Sequence, residues 1–418
     1  MNISTLDILR CPYCGGSLEL VASLFHRRDG DEIRDGILGC HCCTFAVIDG
    51  IPVLHLEGAS TAARGQVEAG RPDLARRAMF NLEDEQRAAR FDEVVSSETA
   101  TYRDVVDVLG PAFEGGYFLY RFSDPTYLVA DAVVRTVAGT VLRSGGRAID
   151  VCGGSGHLTR SLIDPSSIPP VLADLYFSKI WLARRFTAPG CEGVCCDGNS
   201  PFPFVRGAFK FAICVDAFMF IWTKRQFAGE MVRLIDGDSD DGRDGAVVIA
   251  HAHNQRVWSP SHGQPLTPDG YRGLFETVAP RLFAESRLFA DVVDGGPLDL
   301  SRVDSAAILD SDAALTIIAT GNPAVFDRHD LTAPAGIRGE YRLNPLYAAE
   351  PDGDRVALRL RFPDVDYEQE YGACRQYLPD QAIVSTAALA ALAEGRLAPE
   401  LADLARRRVV LDLPKRYY

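Results

Sequence analysis

The pattern of apolar and polar positions predicts a core of alternating helices and strands between residues 125 and 325. Apolar residues recur at helical spacing over residues 128–142, and a second helix is predicted over residues 224–235. The chain also has short, almost uninterrupted apolar runs, each of which predicts a buried strand: residues 147–151, 170–175, 193–198, 211–215, 246–250 and 314–320. Strands that alternate with helices in this way favour a doubly wound, mostly parallel α/β sheet.

The segment before this core, residues 59–124, is polar and contains few strand formers. We predict a helical connector, which either packs on the next domain or forms a lid over a cofactor site. Several aromatic and basic residues crowd the entrance to the core, and they either belong to it or line a substrate pocket: Tyr117, Tyr120, Arg121, Phe122 and Tyr127.

The segment after the core, residues 326–418, has a different pattern. Apolar runs on both sides of Asp352-Gly353 predict a hairpin, and helices are predicted over residues 367–377, 385–393 and 399–407, before a last strand at 409–411. A hairpin combined with short helices indicates a small α+β, winged-helix-like accessory domain. We expect it to serve dimerisation or the capping of a substrate.

Composition narrows the class of protein and of partner. The chain has 418 residues, of which 47% are apolar and 24% charged, and this balance favours folded domains over disorder. The net charge of −14 repels phosphate backbones and therefore disfavours nucleic acid as a partner. Neither a signal peptide at the N-terminus nor an apolar run of about 18 residues is present, so we expect a cytoplasmic protein with reduced thiols and no membrane partner.

Four of the eleven cysteines have the spacing of a metal site. Cys11 and Cys14 form one C-x-x-C pair, and Cys40 and Cys43 form another. Thiolates on two successive hairpins can occupy the corners of a tetrahedron around one structural Zn²⁺, which would substitute for the small core of so short a segment. The alternative is a set of reduced thiols without metal. We expect Cys42 to stand outside the site.

The residues around these pairs resemble a particular kind of zinc module. The segments LRCPYCGGSL at residues 9–18, GILGCHCC at 36–43 and IDGIPVL at 48–54 resemble the small zinc-ribbon activator subunits of tRNA and protein methyltransferases. The resemblance covers residues 1–58, with a departure at 45–48, where that family usually has a Tyr-Pro-Ile core. It implies a module that stabilises a methyltransferase by pairing with its sheet, here fused to the chain that follows.

A glycine-rich loop follows the first predicted strand of the core. Glycines at 153, 154 and 156 would let a nucleotide or nucleoside approach the backbone amides closely. A dinucleotide fingerprint needs a third glycine where Thr159 stands, and the Gly-Lys-Ser/Thr of a phosphate loop is absent. The loop instead resembles motif I of class I S-adenosylmethionine-dependent methyltransferases, which implies a Rossmann-like sheet and cofactor contacts at Asp150, Cys152, Gly153, Gly154 and Gly156. Cys152 replaces the first glycine of that motif.

Acidic residues at the ends of later strands strengthen this resemblance. Asp174 ends the second strand, where a carboxylate can accept both ribose hydroxyls, and Leu175 follows it. Asp197 and Gly198 end the third strand, where the carboxylate would meet the adenine amine. Asp216 follows the fourth strand and would also lie next to the cofactor.

Histidines after the fifth strand are the candidates for removing a proton from the methyl acceptor. His251 and His253 leave the carboxyl edge of the sheet, where open α/β sheets place their chemistry, and an imidazole suits proton transfer near neutral pH. They would share one side only if the strand persists, and hydrogen bonds within a loop are the alternative role. His262 is a weaker candidate.

These features together predict an S-adenosylmethionine-dependent methyltransferase that acts on a small molecule or a peptide, with specialised metabolites among the candidates. Two alternatives stay open. One is a tRNA or rRNA methyltransferase, which the zinc-ribbon resemblance suggests. The other is a non-catalytic binding protein of the same fold, which Cys152 in the glycine loop suggests.

Overall fold

The computed structural model describes residues 1–110, 115–163, 168–237, 244–259, 263–331 and 339–418, and His262 lies outside these ranges. In the described residues, no helix is both long enough and apolar enough to cross a bilayer. The elements form an N-terminal module (residues 1–58), a helical connector, a central sheet and a C-terminal unit (residues 339–418).

The N-terminal module is a small antiparallel β unit. Its elements are α1 (Ile3–Leu6), β1 (Glu19–Leu20), β2 (Arg27–Asp29), β3 (Glu32–Gly39), β4 (Thr44–Ile48) and β5 (Ile51–Pro52). Strand β3 pairs with β1, β2 and β4, and β5 returns beside β4. Strands β4 and β5 are joined by Asp49-Gly50, where φ is 48° and 75°, values that suit the tight turn of a β-hairpin.

The connector is helical, as its polar sequence predicted. It contains α2 (Ala59–Glu68), α3 (Pro72–Met79), α4 (Glu85–Ser96), α5 (Tyr102–Leu109) and α6 (Gly115–Tyr120). Helix α4 begins at the capping side chain of Asp84, and α5 begins with a capping box between Thr101 and Asp104. These caps satisfy amides that the first turn leaves without partners, so the helices begin at defined residues.

The central sheet has seven strands. Its strands and the short pair beside it are β6 (Ala148–Val151), β7 (Val171–Asp174), β8 (Glu192–Cys195), β9 (Phe211–Val215), β10 (Ala246–His253), β11 (Arg281–Ala284), β12 (Leu298–Asp299), β13 (Ala314–Thr320) and β14 (Arg328–His329). The order is β11-β13-β10-β9-β6-β7-β8, and β12 pairs with β14. Strands β6 to β10 are parallel, whereas β13 runs antiparallel to both of its neighbours.

This is the Rossmann-like, doubly wound sheet that the sequence predicted. All six predicted strands are present, and β11 is an additional strand that the apolar pattern did not indicate. From β6 the chain proceeds to β7 and β8 on one side and then to β9 and β10 on the other. Open α/β sheets bind their ligands in the crevice at such a reversal, which here lies between β6 and β9.

Helices pack on both faces of this sheet. They are α7 (Thr126–Val141), α8 (Phe177–Leu182), α9 (Lys224–Ile235), α10 (Pro268–Arg272), α11 (Glu285–Val293) and α12 (Ala306–Ser311). Helix α7 shows why the apolar spacing predicted it: Val129, Val133 and Val137 recur every fourth residue and are buried in the core beside the sheet.

The N-terminal module extends the sheet beyond β8. Val53, directly after β5, is the parallel partner of Cys195, and Leu54 donates its N–H to the carbonyl of Cys195 at 2.7 Å. Apolar residues of the module, such as Ile51, belong to the same buried core as those of the sheet. The module and the sheet are therefore one packed unit.

The C-terminal unit has a core of its own. Its elements are β15 (Glu340–Leu343), β16 (Tyr347–Asp352), β17 (Arg355–Leu360), α13 (Val365–Tyr371), β18 (Gln381–Ser385), α14 (Thr386–Ala393), α15 (Ala402–Arg406) and β19 (Val410–Leu413). The predicted hairpin turns at Asp352-Gly353, between β16 and β17, and β18 is a third strand of that sheet which the sequence analysis missed. The winged-helix-like interpretation stays a prediction.

Candidate functional site

Four thiols of the N-terminal module converge. The Sγ atoms of Cys11, Cys14, Cys40 and Cys42 lie within 4.8 Å of one another. Those of Cys11 and Cys42 are 3.6 Å apart, and those of Cys14 and Cys40 are 3.8 Å apart. Sulfurs held about 2.3 Å from one tetrahedral Zn²⁺ would be about 3.8 Å from each other, so the cluster has the dimensions of a zinc site.

The fourth thiol of the cluster is that of Cys42, whereas the C-x-x-C spacing had predicted Cys43. The N–H groups of both residues point to Sγ of Cys40, at 3.4 and 3.3 Å, so the chain turns tightly after Cys40. This turn brings Sγ of Cys42 to 3.5 Å from Sγ of Cys40, and Sγ of Cys43 lies 3.3 Å from that of Cys42. Cys43 is thus a neighbour of the four-thiol cluster.

The carboxyl ends of three neighbouring strands of the central sheet have strained backbone. Cys152 after β6, Asp216 after β9 and His251 in β10 have φ of 60°, 55° and 54°. Residues other than glycine rarely adopt such values, and where they do they cluster at functional sites. In β10 the register of the pairing with β13 shifts between Ile249 and Ala252, so His251 lies in an irregular part of the strand, where side chains are redirected.

Two carboxylates surround the glycine loop after β6. Asp174 accepts the N–H of Gly154 through Oδ2 and that of Tyr176 through Oδ1, each at 2.9 Å. Asp150 accepts the hydroxyl of Thr159 at 2.6 Å through Oδ2, and its buried Oδ1 has no hydrogen-bond partner among the described residues. Burial raises the pKa of Asp150 to about 7, and the charge of Asp174 adds to this effect.

The loop accommodates Cys152, its departure from the glycine pattern. Sγ of Cys152 packs against Gly198, where an added Cβ would stand 3.1 Å from the sulfur. At Gly153 an added Cβ would lie 2.5 Å from Cγ of Asp150, and at Gly156 it would lie 2.7 Å from Cβ of Ala183. Gly153, Gly156 and Gly198 therefore allow the loop to pack closely.

The predicted adenine edge of the crevice faces the N-terminal module. Leu175 is 39% exposed, and Asp197 accepts the N–H of Asn199 at 2.8 Å. Leu175 and Asp197 line a cavity of about 20 Å³ together with Tyr13 and His55 of the module. The module thus forms a wall beside the residues that sequence analysis assigned to a cofactor.

Residues at the end of the connector cover the crevice. The hydroxyl of Tyr117 donates to Oδ2 of Asp216, and Nη2 of Arg121 lies 3.7 Å from the same oxygen. The ring of Phe118 stands over the glycine loop. A Cβ added to Gly154 would lie 3.1 Å from Cε1 of Phe118. Phe122 and Tyr127 are buried in the core, which is one of the two roles considered for this group. A role of Tyr117 and Arg121 in a substrate pocket stays a prediction.

His251 and His253 lie close to Asp216. One ring nitrogen of each histidine and one carboxylate oxygen of Asp216 lie within 4.8 Å of one another. Glu285 binds His251 twice, accepting its backbone N–H at 2.6 Å and lying 2.8 Å from Nδ1. Burial lowers the pKa of His251, but the charges of Glu285 and Asp216 and the hydrogen bond with Glu285 together outweigh burial and raise that pKa to about 9. Burial lowers the pKa of His253 to about 4, and the charge of His251 adds to this effect.

The sequence indicated most of the residues at this edge of the sheet, but it did not indicate Glu285. Strand β10 continues to His253, which brings both histidines to Asp216. Glu285 was missed because it is a single acid at the start of α11, with no motif around it. Tyr117 and Arg121 were noted, but their contact with Asp216 joins positions about 100 residues apart, and no local pattern indicates it.

The comparisons with known proteins found likeness in structure alone. No family model matches the sequence, and no curated protein matches it. A chain from the complex of the Haloferax volcanii Trm112 methyltransferase activator with a methyltransferase is 16% identical, over 45% of this chain and 90% of that one, with a TM-score of 0.33. A possible histamine N-methyltransferase from Thermotoga maritima is 15% identical, over 51% and 95%, with a TM-score of 0.31. Geranyl diphosphate C-methyltransferase from Streptomyces coelicolor is 13% identical, over 42% and 71%, with a TM-score of 0.31.

Proposed function

We propose that the protein is a cytoplasmic S-adenosylmethionine-dependent methyltransferase whose acceptor is a small molecule or a peptide. In this reaction the methyl group leaves the sulfonium sulfur and forms a bond to an oxygen, nitrogen or carbon of the acceptor. S-adenosylhomocysteine is the second product, and any proton of the accepting atom passes to a base or to water.

The observation that carries the proposal is the position of Asp174 beside the glycine loop at the reversal of the sheet. Its two carboxylate oxygens accept the backbone N–H groups of Gly154 and Tyr176, and these bonds fix the carboxylate beside the loop. Gly154, with φ of 55°, turns a face without a side chain toward the crevice. A vicinal diol such as that of ribose can bind such a carboxylate while its nucleoside lies along the loop.

The donor set fits the adenosine part of S-adenosylmethionine. Asp174 would hold the ribose, and Asp197 with Leu175 would hold the adenine on the side that faces the N-terminal module. The ring of Phe118 stands over Gly154, so we infer that this ring turns away when the cofactor binds. When bound, the cofactor supplies an activated methyl group, and the chain supplies binding, orientation and exclusion of water.

We propose in addition that the four thiols of the N-terminal module bind a structural Zn²⁺. The support is the size of the cluster: all four Sγ atoms lie within 4.8 Å of one another, and three of their separations are 3.5 to 3.8 Å. Their ion would fix the two loops that carry Cys14 and Cys40, and with them the strand that pairs with β8. Its role is therefore to support the wall of the crevice, away from the transferred methyl group.

Calorimetric titration with S-adenosylmethionine tests the central claim. We expect one site per wild-type chain and a roughly 30-fold or greater loss of affinity in Asp174→Asn, because hydrogen bonds to a charged group contribute about 1.5–3 kcal/mol each. Asp73→Asn, which changes an exposed carboxylate on α3, is the matched control and should bind like the wild type. Absence of binding by a folded wild-type chain, or equal binding by Asp174→Asn, would overturn the proposal.

One observation favours a second candidate, a non-catalytic binding protein with the same sheet. The ring of Phe118 lies directly over the loop where the cofactor would bind. If that ring is fixed there, the titration will show no binding of S-adenosylmethionine or of S-adenosylhomocysteine. Formation of S-adenosylhomocysteine with any acceptor excludes this candidate.

A further inference from the structure

A second group of side chains of the types that can bind a metal lies far along the chain from the four thiols, at the ends of β9 and β10. One carboxylate oxygen of Asp216 and one ring nitrogen each of His251 and His253 lie within 4.8 Å of one another. Adjacent ligands of one divalent ion, each about 2.0–2.2 Å from it, are roughly 3–3.5 Å apart. Small side-chain rotations are therefore enough to bring all three atoms to a common ion.

The hydrogen bonds around this group leave suitable atoms for an ion. Both described partners of Asp216, Tyr117 and Arg121, contact its Oδ2, so Oδ1 is the oxygen that remains. Nδ1 of His251 is occupied by Glu285, which leaves Nε2 of that ring as the coordinating nitrogen.

Glu285 stands where a supporting carboxylate of a metal site is expected. Its side chain is 7% exposed, and it contacts Nδ1 of His251 at 2.8 Å, the backbone N–H of His251 at 2.6 Å and the hydroxyl of Thr316 at 2.8 Å. Histidines that bind metals almost always donate their other ring N–H to such an acceptor, which fixes the ring and raises its basicity. A carboxylate buried to this degree on a histidine of a metal-sized cluster is independent support for a ligand.

The charges of the site also suit a divalent cation. The carboxylates of Asp216, Glu285 and Asp124 are opposed by one guanidinium, that of Arg121, which lies 3.7 Å from Asp124 and from Asp216. When both imidazoles are neutral, as metal ligands must be, two negative charges are left in a largely buried region. A divalent ion bound by the two rings and Asp216 would compensate both.

We infer that Asp216, His251 and His253 form a binding site for a first-row divalent metal ion, with Glu285 as the residue that positions His251. Two imidazoles and one carboxylate select ions such as Fe²⁺, Mn²⁺, Co²⁺ or Zn²⁺ over Mg²⁺ and Ca²⁺, which prefer oxygen ligands alone. Three protein ligands leave positions open for other donors. The histidines then act as ligands and take no direct part as proton acceptors.

The site also restricts the acceptor, a point that rests on the proposed function. Asp216 follows β9, which is the neighbour of β6, and His251 and His253 lie at the end of β10 on the far side of β9. The glycine loop follows β6 itself. An ion held there can bind oxygen atoms of an acceptor and orient them toward the crevice. The acceptor class that this arrangement favours is a molecule with an oxygen donor, such as a hydroxyl beside a carbonyl or a carboxylate.

Cobalt titration of the full chain, with its thiols first loaded with Zn²⁺, tests the site. We expect one Co²⁺ per chain in addition to one Zn²⁺, measured by elemental analysis after dialysis, and weak visible bands typical of nitrogen and oxygen ligands. Displacement of Zn²⁺ from the thiols would instead give strong sulfur-to-cobalt charge-transfer bands in the near ultraviolet. No methyl donor is present, so the result does not depend on methyl transfer.

Variants assign the cobalt to its ligands. Asp216→Asn and His253→Ala should lose the cobalt and keep the zinc, and Glu285→Gln should bind it roughly 10- to 100-fold more weakly. His329→Ala, which removes a ring bonded to the carbonyl of Val325, is the control and should bind cobalt normally. Thermal unfolding identifies variants that do not fold, and paramagnetically shifted histidine resonances of the wild type then give the same assignment.

The proposal is overturned if the wild type takes up no second metal ion, or if Asp216→Asn and His253→Ala, both folded, retain it. Asp174→Asn should keep full cobalt binding while it loses S-adenosylmethionine. Failure of the metal site and failure of the proposed function are therefore separate results.

Discussion

The backbone N–H of Leu54 donates to the carbonyl oxygen of Cys195 over 2.7 Å, and this bond joins the N-terminal module to the edge of the central sheet. Without it, β8 would present unpaired backbone groups at that edge. Cys195 lies two residues before Asp197 in the chain, so the same contact supports the predicted adenine side of the crevice. Changes at the four thiols should therefore be measurable in the sheet.

Removal of the proposed zinc with a chelator should loosen β8 in particular. We expect amide hydrogen exchange to become at least about tenfold faster over residues 51–55 and 192–196, because the paired strand loses its metal support. Residues 281–284 form the opposite edge of the sheet and serve as the internal control, where exchange should stay unchanged. Equal acceleration at both edges would mean that the ion stabilises the whole molecule without this local contact.

The identity of the fourth thiol ligand can be tested by paired substitutions. Cys42→Ser should reduce the zinc content and lower the midpoint of thermal unfolding, because Sγ of Cys42 lies inside the four-thiol cluster. Cys43→Ser should retain one zinc per chain. Zinc measured by elemental analysis on both proteins decides the matter, and the reverse result would restore the ligand set predicted from the C-x-x-C spacing.

Asp150 should make the protein less stable as pH rises. Its pKa is about 7 in the folded state, raised first by burial, against about 3.9 in an unfolded chain. The folded state therefore binds more protons between these values, and the free energy of unfolding falls as pH increases from about 4 to 7. Relative to the wild type, Asp150→Asn should gain about 2 kcal/mol or more between pH 5 and pH 8, measured by urea unfolding. Asp73→Asn should show no such gain.

His157 should act in the opposite direction. Its Nε2 lies 2.7 Å from the hydroxyl of Tyr417, and burial, with a further contribution from Arg121, lowers its pKa to about 3. As pH falls below about 6.5, the unfolded chain gains a proton that the folded chain does not, so stability is lost. His157→Gln should flatten the dependence of stability on pH between 6.5 and 4. The same substitution at His26, an exposed residue, should leave the dependence of stability on pH as it is in the wild type.

Phe118→Ala should strengthen the binding of S-adenosylmethionine by about tenfold. The ring lies over Gly154, so the binding-competent form of the wild type requires it to move, and removal of the ring eliminates that cost. Tyr120→Ala is the matched control in the same helix, because that ring packs 5.0 Å from Tyr367 of the C-terminal unit. Weaker binding by Phe118→Ala would show that the ring contacts the bound ligand.

The parts of the fold that sequence could predict are those determined by local pattern. The strands from β6 to β10 appear as apolar runs because parallel strands are buried on both faces. Strand β11 was not predicted, since Arg281 and the three apolar residues after it give too short a signal. The position of Asp174 beside the glycine loop was predictable because this residue ends the apolar run that forms β7, the neighbour of β6, and its role toward a cofactor stays a prediction. The contacts of Asp216 with Tyr117 and of His251 with Glu285 depend on tertiary structure and have no local signature.

The choice between Cys42 and Cys43 as the fourth ligand shows a second limit of prediction from sequence. Both thiols follow Cys40 closely, and both of their amides bond to its sulfur. A rule based on spacing selects the third position after Cys40, whereas the direction of each side chain depends on how the turn is packed.

The strand contact between Leu54 and Cys195 belongs to a single chain, and this has a consequence for dilution. A module bound as a separate subunit would dissociate as concentration falls, whereas here the effective local concentration of the pairing strand is set by the tether and does not change. The edge of β8 therefore remains paired with the N-terminal module at any concentration of the protein. The supported half of the crevice is built once, during folding, and requires no encounter with a second molecule.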